Sequence, residues 1–145
     1  MLDQFIVGGI ASICNIMIHA MVMAAVVRTA RSVGARHPSH PTLLLISVMV
    51  TVVSVLMVAH TFEVLVWSLT YLIVDAIPSG SSRVYFAFVN YTTLGYGDII
   101  PVHDWQLLGP MTAMNGVLLF GWSTAVLFEV LRKVMVYRSD TGALK

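Results

Sequence analysis

The sequence predicts an all-α membrane protein with three spanning helices and one re-entrant segment, and three observations carry that prediction. Of the 145 residues, 58% are hydrophobic and 10% charged, and the mean hydropathy of +0.87 lies far above that of soluble domains. Three apolar stretches, 5–27, 42–74 and 105–136, each exceed the roughly 20 residues that cross a bilayer core. Between the second and third lies a short helix-forming run ending in two glycines, too short to span, after which the chain must return to the side it left.

The first stretch is a retained helix. Its leading residues carry Asp3 and no Lys or Arg, and the basic residues follow the apolar run, the reverse of a secretory leader. Arg28, Arg31 and Arg36 lie between the first two helices; Arg132, Lys133, Arg138 and Lys145 follow the third. By the positive-inside rule both segments are cytoplasmic and the N-terminus is outside, with Arg83 the lone exception among eight basic residues. Pro38 and Pro41 separate helix one from helix two. The expected division is 1–41 for the first helix and its link, 42–138 for a second unit (outer helix 42–75, short helix and loop 83–101, inner helix 105–137), and 139–145 for a tail.

The second and third stretches, at ~1.5 Å per residue, run to about 50 Å against a core of about 30 Å, so they tilt or project. The segment "AIPSGSS", 76–82, is a turn in which Ser81 or Ser82 can cap a helix starting near Arg83. One cysteine, Cys14, excludes an intrachain disulfide. A net charge of +1 argues against nucleic acid as a partner. No nucleotide motif and no nucleophile, acid and base constellation points to catalysis, and no organic cofactor or soluble partner is implied.

The re-entrant segment ends in "TTLGYGD", Thr92 to Asp98. Glycines at alternate positions admit left-handed dihedrals there, and such alternation turns successive carbonyls to one side of the strand. Rings of oxygens from Thr93, Leu94, Gly95 and Tyr96 in several chains could replace the water shell of a cation. One loop cannot close a ring, so an oligomer is required.

"TTLGYGD" resembles the selectivity-filter signature of tetrameric potassium channels, and the order helix, pore helix, filter, helix is similar to that family from Thr42 onward. The resemblance implies a homotetramer in a lipid bilayer, of small prokaryotic type and in the inner membrane, with an additional first helix. It implies potassium ions at Thr93, Leu94, Gly95 and Tyr96 and a mouth-lining role for Asp98. Val89 stands where some members carry a glutamate that braces this aspartate, so Glu63 or Trp67 is the expected substitute support. A weakly selective cation channel, and a non-conducting or metal- or proton-sensing subunit, are the alternative readings.

Gly116 and Gly121 in the third helix are candidate hinges, although close packing of small residues explains them equally well. Ser123 and Thr124 are candidates to face the pore cavity. Trp67, Trp105 and Tyr137 read as interfacial anchors, and Trp122 as packing. His19, His60 and Glu63 stand at membrane depth, where ionisable groups need partners or line water. His60 and Glu63 share a helix face; a His and carboxylate set could sense protons or bind zinc, which nothing else in the sequence supports. Counting from the helix ends puts His19 and His60 at different depths. His103 beside Asp104 is a candidate external pH sensor, Glu129 pairs with Arg132 and Lys133, and His37 and His40 belong to a solvated link. The first helix is expected to pack peripherally on the second.

Overall fold

The computed structural model describes residues 1–34 and 41–140. Four helices follow one another: α1, Leu2–Gly34; α2, Pro41–Ile73; α3, Arg83–Tyr91; and α4, Leu108–Asp140. Helices α1, α2 and α4 are each long and apolar enough to cross a membrane, and no strand occurs among the described residues. The chain is an all-α membrane protein. His37 and His40 and the side chain of Tyr137 lie outside the described residues.

Each boundary has a local cause. Pro41 opens α2, where its missing N–H costs nothing, and Pro110 sits in the first turn of α4 for the same reason. Asp75 takes a left-handed φ of 53° just past α2, and the Ala76 N–H reaches back to the Tyr71 carbonyl at 3.0 Å, ending the helix. Ser82 caps α3 through its side chain, which accepts from the Tyr85 N–H at 3.3 Å. A single 3₁₀ turn, His103–Trp105, leads into α4, which therefore begins slightly later than its apolar run.

Because α1, α2 and α4 are apolar nearly all round, hydrophobicity cannot tell their inner faces from their lipid-facing ones. Polar and small residues do that instead. Ala11, Asn15, His19 and Met23 descend one face of α1 at four-residue spacing and are all buried. On α2 the buried face runs through Leu56, Glu63, Trp67 and Tyr71, and on α4 through Thr112, Asn115, Leu119, Ser123 and Val130.

The core is layered as a result. Trp67, Tyr71, Phe86, Tyr91 and Leu108 form one apolar cluster with Ala11. Met23, Val26, Val48, Val52, Leu56 and Val130 form a second. Between the two clusters lie Asn15 and His19 on α1, His60 and Glu63 on α2, and Asn115 and Ser123 on α4. Helix α1 packs on α4 as extensively as on α2, and the Gln4 side chain accepts the Leu107 N–H at 2.8 Å, satisfying a donor before the first turn of α4. The expected peripheral seat on α2 is thus corrected: Asn15 and His19, both fully buried, draw α1 into the bundle.

Candidate functional site

Helix α3 sits between α2 and α4, held through Phe86, Ala87, Val89 and Tyr91, its buried residues. Its last turn passes directly into the TTLGYGD loop. The Thr93 N–H donates to the Asn90 carbonyl at 2.9 Å, while the Leu94 and Gly95 N–H groups both donate to the Val89 carbonyl, at 2.9 and 3.2 Å. Beyond that anchor Thr93, Gly95 and Gly97 take φ values of 60°, 60° and 77°, while Leu94 and Tyr96 between them do not. Alternation of left- and right-handed residues is the geometry that aims successive carbonyls one way. A positive φ at a β-branched threonine costs about 1–2 kcal/mol and persists only where the surroundings impose it. Residues 92–98 are all exposed on the single chain.

At the far end of the loop the Asp98 carboxylate lies near the Tyr85 hydroxyl, from the first turn of α3, and its accepting oxygens and negative charge push the tyrosine above its ordinary value. Within the chain neither Glu63 nor Trp67 bonds to Asp98; both side chains are engaged elsewhere. The Trp67 N–H donates to Asn115 Oδ1 at 3.0 Å, and the Glu63 carboxylate is used at the other end of α3. Trp67 is fully buried, so it is no interfacial anchor either.

Glu63, fully buried, is the hub of a polar cluster joining all four helices. His19 Nδ1 is hydrogen-bonded to its Oε1 at 2.8 Å, and His60 Nδ1 to its Oε2 at 2.8 Å. The Tyr91 hydroxyl, on the last residue of α3, also donates to Oε2 and lies 2.9 Å from His60 Nδ1. On the far side of both imidazoles stands one hydroxyl: Ser123 Oγ is 3.0 Å from His60 Nε2 and 3.3 Å from His19 Nε2. Asn15 Nδ2 adds bonds to the Glu63 carbonyl at 3.1 Å and to Asn115 Oδ1 at 3.0 Å. Tyr71 and Thr112 share a hydroxyl contact one layer away. Such a cluster in a low-dielectric interior is costly only where a member lacks a partner.

His19 and His60 therefore meet, with ring centroids 5.3 Å apart, although counting along each helix separates them. The ends of the apolar runs on α1 and α2 do not mark equal depths. Ligand atoms of His19, His60 and Glu63 lie within 4.8 Å of one another, which raises zinc as an occupant. The donor set fits it poorly. Ligand atoms around a tetrahedral zinc, with bonds of ~2.0–2.1 Å, stand about 3.3 Å apart. Here both carboxylate oxygens are hydrogen-bonded to Nδ1 atoms at 2.8 Å, and both Nε2 atoms contact Ser123. The three side chains satisfy one another as a hydrogen-bonded group.

The remaining expected residues divide. Ser123 faces the histidines rather than a pore cavity, whereas Thr124 is exposed. A Cβ on Gly116 would stand 2.1 Å from the Tyr91 carbonyl oxygen, so that glycine lets the foot of α3 lie against α4; nothing lies within 4 Å of a Cβ on Gly121. Glu129 pairs with Arg132 at 2.8 Å and Lys133 at 2.9 Å. His103 and Asp104 are exposed and 3.7 Å apart. Trp105 packs partly buried against the first apolar cluster, and Trp122 stacks tilted on His19 at 5.2 Å. Asn15, Asn115, Tyr91 and Tyr85 escape the sequence reading. The first two were legible as polar residues mid-span, the same signal that exposes His19 and Glu63.

The sequence model of the ion channel family matches residues 42–133, well over half of the chain, from the start of α2 through the bend of the loop to the last third of α4. No curated protein matches the chain, and no solved structure does. The matched span holds α2, α3, the loop and most of α4, while α1 precedes it. This chain belongs to the ion channel family.

Proposed function

We propose that the protein is a potassium-selective channel, a homotetramer in which each chain contributes one strand of a filter. The observation that carries this reading is the alternation of left-handed residues at Thr93, Gly95 and Gly97 within TTLGYGD. Four such strands around an axis present stacked rings of carbonyls from Thr93, Leu94, Gly95 and Tyr96, which take the place of the water that a potassium ion sheds. The exposed face formed by residues 92–98 is the surface that the neighbouring chains cover. Ion passage is passive.

Asp98, near the Tyr85 hydroxyl, concentrates cations at the outer mouth, and the C-terminal end of α3 directs its partial negative charge toward the ion path. Arg28 and Arg31 at the end of α1 with Arg36 following it in the sequence, and Arg132, Lys133 and Arg138 at the end of α4, favour an N-terminus outside and a cytoplasmic C-terminus in a prokaryotic inner membrane.

The purified protein in liposomes under an imposed gradient tests the proposal. Potassium flux well above sodium flux, abolished by Gly95→Ala, is the expected outcome. Equal potassium and sodium flux would replace the reading with a weakly selective cation channel, and no flux at any pH would replace it with a non-conducting subunit.

A further inference from the structure

Helix α1 lies outside the span matched to the ion channel family, yet its His19 is fully buried against the hub of the polar cluster. Four contacts make a closed ring there: Glu63 Oε1 to His19 Nδ1, Glu63 Oε2 to His60 Nδ1, His60 Nε2 to Ser123 Oγ, and Ser123 Oγ to His19 Nε2. Each needs one proton to be a hydrogen bond. Two neutral imidazoles and one hydroxyl bring three, and the Tyr91 proton is already used on Glu63. With three, one contact sets two lone pairs against each other, and the ring carries the whole carboxylate charge inside the bundle. A fourth proton completes every bond and cancels that charge, whichever member of the ring carries it.

The groups that face this ring are few. Helix α1 offers His19 and Asn15, α2 offers Glu63 and His60, α3 offers Tyr91, and α4 offers Ser123, with Asn115 bonded to Asn15. The only titratable groups in these contacts are His19, His60, Glu63 and Tyr91. Glu129, with its Arg132 and Lys133 partners, lies six residues past Ser123 on α4, level with Val126 and Val130 of the second apolar cluster.

We infer that His19 makes α1 a filter-positioning helix: it closes a ring that retains one proton beyond those of its neutral members, and through Glu63 and Tyr91 that ring fixes the foot of the filter loop. Tyr91 is the last residue of α3, directly before Thr92. Its hydroxyl is held by the ring, and its carbonyl is pressed against Gly116. A filter that has Val89 in place of a bracing acid is thereby braced from below, through a helix that the family's shared span does not include. The role in the filter rests on the channel reading above; the proton count does not.

Two measurements test the two parts separately. The first is a nitrogen-15 and carbon-13 spectrum of labelled protein in bilayers, with His37, His40 and His103 changed to Gln so that only His19 and His60 report. Three protonated ring nitrogens with an ionised Glu63, or two with a protonated Glu63, is the expected count. Two protonated nitrogens with an ionised Glu63 overturns the closed ring, as does stoichiometric zinc retained on the two histidines after purification without chelator. The second is potassium flux in liposomes. His19→Ala lowers it about tenfold, the equivalent of one buried hydrogen bond lost, and His19→Gln, which keeps a donor and an acceptor, restores it to within about twofold. Both variants at the parent's flux and selectivity overturn the positioning role. A parent that carries no flux defeats the channel reading and with it the positioning role, and leaves the proton count to be judged by the spectrum alone.

Discussion

The Tyr91 carbonyl oxygen lies 2.1 Å from where a side chain on Gly116 would begin. Helices α3 and α4 thus touch through bare backbone at the point where α3 gives way to the loop. The obstacle is main chain rather than the tip of a flexible side chain, so neither helix can relax locally around an added methyl group.

Gly116→Ala accordingly forces α3 away from α4. The expected cost reaches or exceeds the ~1–3 kcal/mol typical of overpacking, read as a lower melting temperature of the detergent-solubilised protein together with lost potassium flux. Gly121→Ala meets no atom within 4 Å and leaves the melting temperature unchanged. A change in open probability in Gly121→Ala, without a change in stability, would identify that glycine as the hinge of α4. Equal melting temperatures for the parent and Gly116→Ala would show that the contact does not constrain the bundle.

Removing the Tyr91 hydroxyl leaves Glu63 with one donor fewer in a buried site. Tyr91→Phe is expected to destabilise the protein by about 1–3 kcal/mol, the penalty for an unmet buried polar group, and to broaden the filter's occupancy by potassium. Calorimetry in detergent checks the first effect. A loss below ~0.5 kcal/mol would mean that the imidazoles alone satisfy the carboxylate.

Asn115 Oδ1 accepts from both Asn15 on α1 and Trp67 on α2. Asn115→Leu strands two donors at once and should cost more than Asn15→Leu, which removes a donor and also an oxygen that has no partner of its own. The ranking of the two variants by thermal melting is the check, and the reverse order would remove Asn115 from the centre of the layer.

The closeness of Asp98 to the Tyr85 hydroxyl sets a pH dependence whose sign follows from the shift. The phenol is held above its ordinary value of about 10, so the contribution of this contact is complete below that value and is lost as pH rises through the raised one. Tyr85→Phe should therefore shorten the lifetime of the conducting filter severalfold by a constant factor from about pH 6 to pH 9, with the difference fading only in stronger alkali. A difference between parent and variant that already vanishes near neutrality would place the tyrosine proton elsewhere.

Membrane character, the three long apolar helices and the short helix and loop before the last of them were all readable from the chain, because length, hydropathy and the glycine spacing of TTLGYGD are local quantities. The Ser82 cap and the Glu129 pairs were readable for the same reason, since their partners lie three or four residues away. What joins the helices was not. His19 and Glu63 are 44 residues apart, Asn15 and Asn115 are 100 apart, and Gln4 reaches Leu107 across 103. In helices apolar on every side, no periodicity marks which face turns inward or which depths come level.

The amino-acid sequence by itself therefore determined the membrane setting, the order of the helices and the chemistry of the loop, each written within a few consecutive residues. Only the tertiary structure decided that α1 belongs to the core, that Ser123 serves two histidines, and that Asp98 comes to lie near Tyr85. The physical reason is that a buried polar group must find a partner, and which partner it finds depends on how whole helices pack.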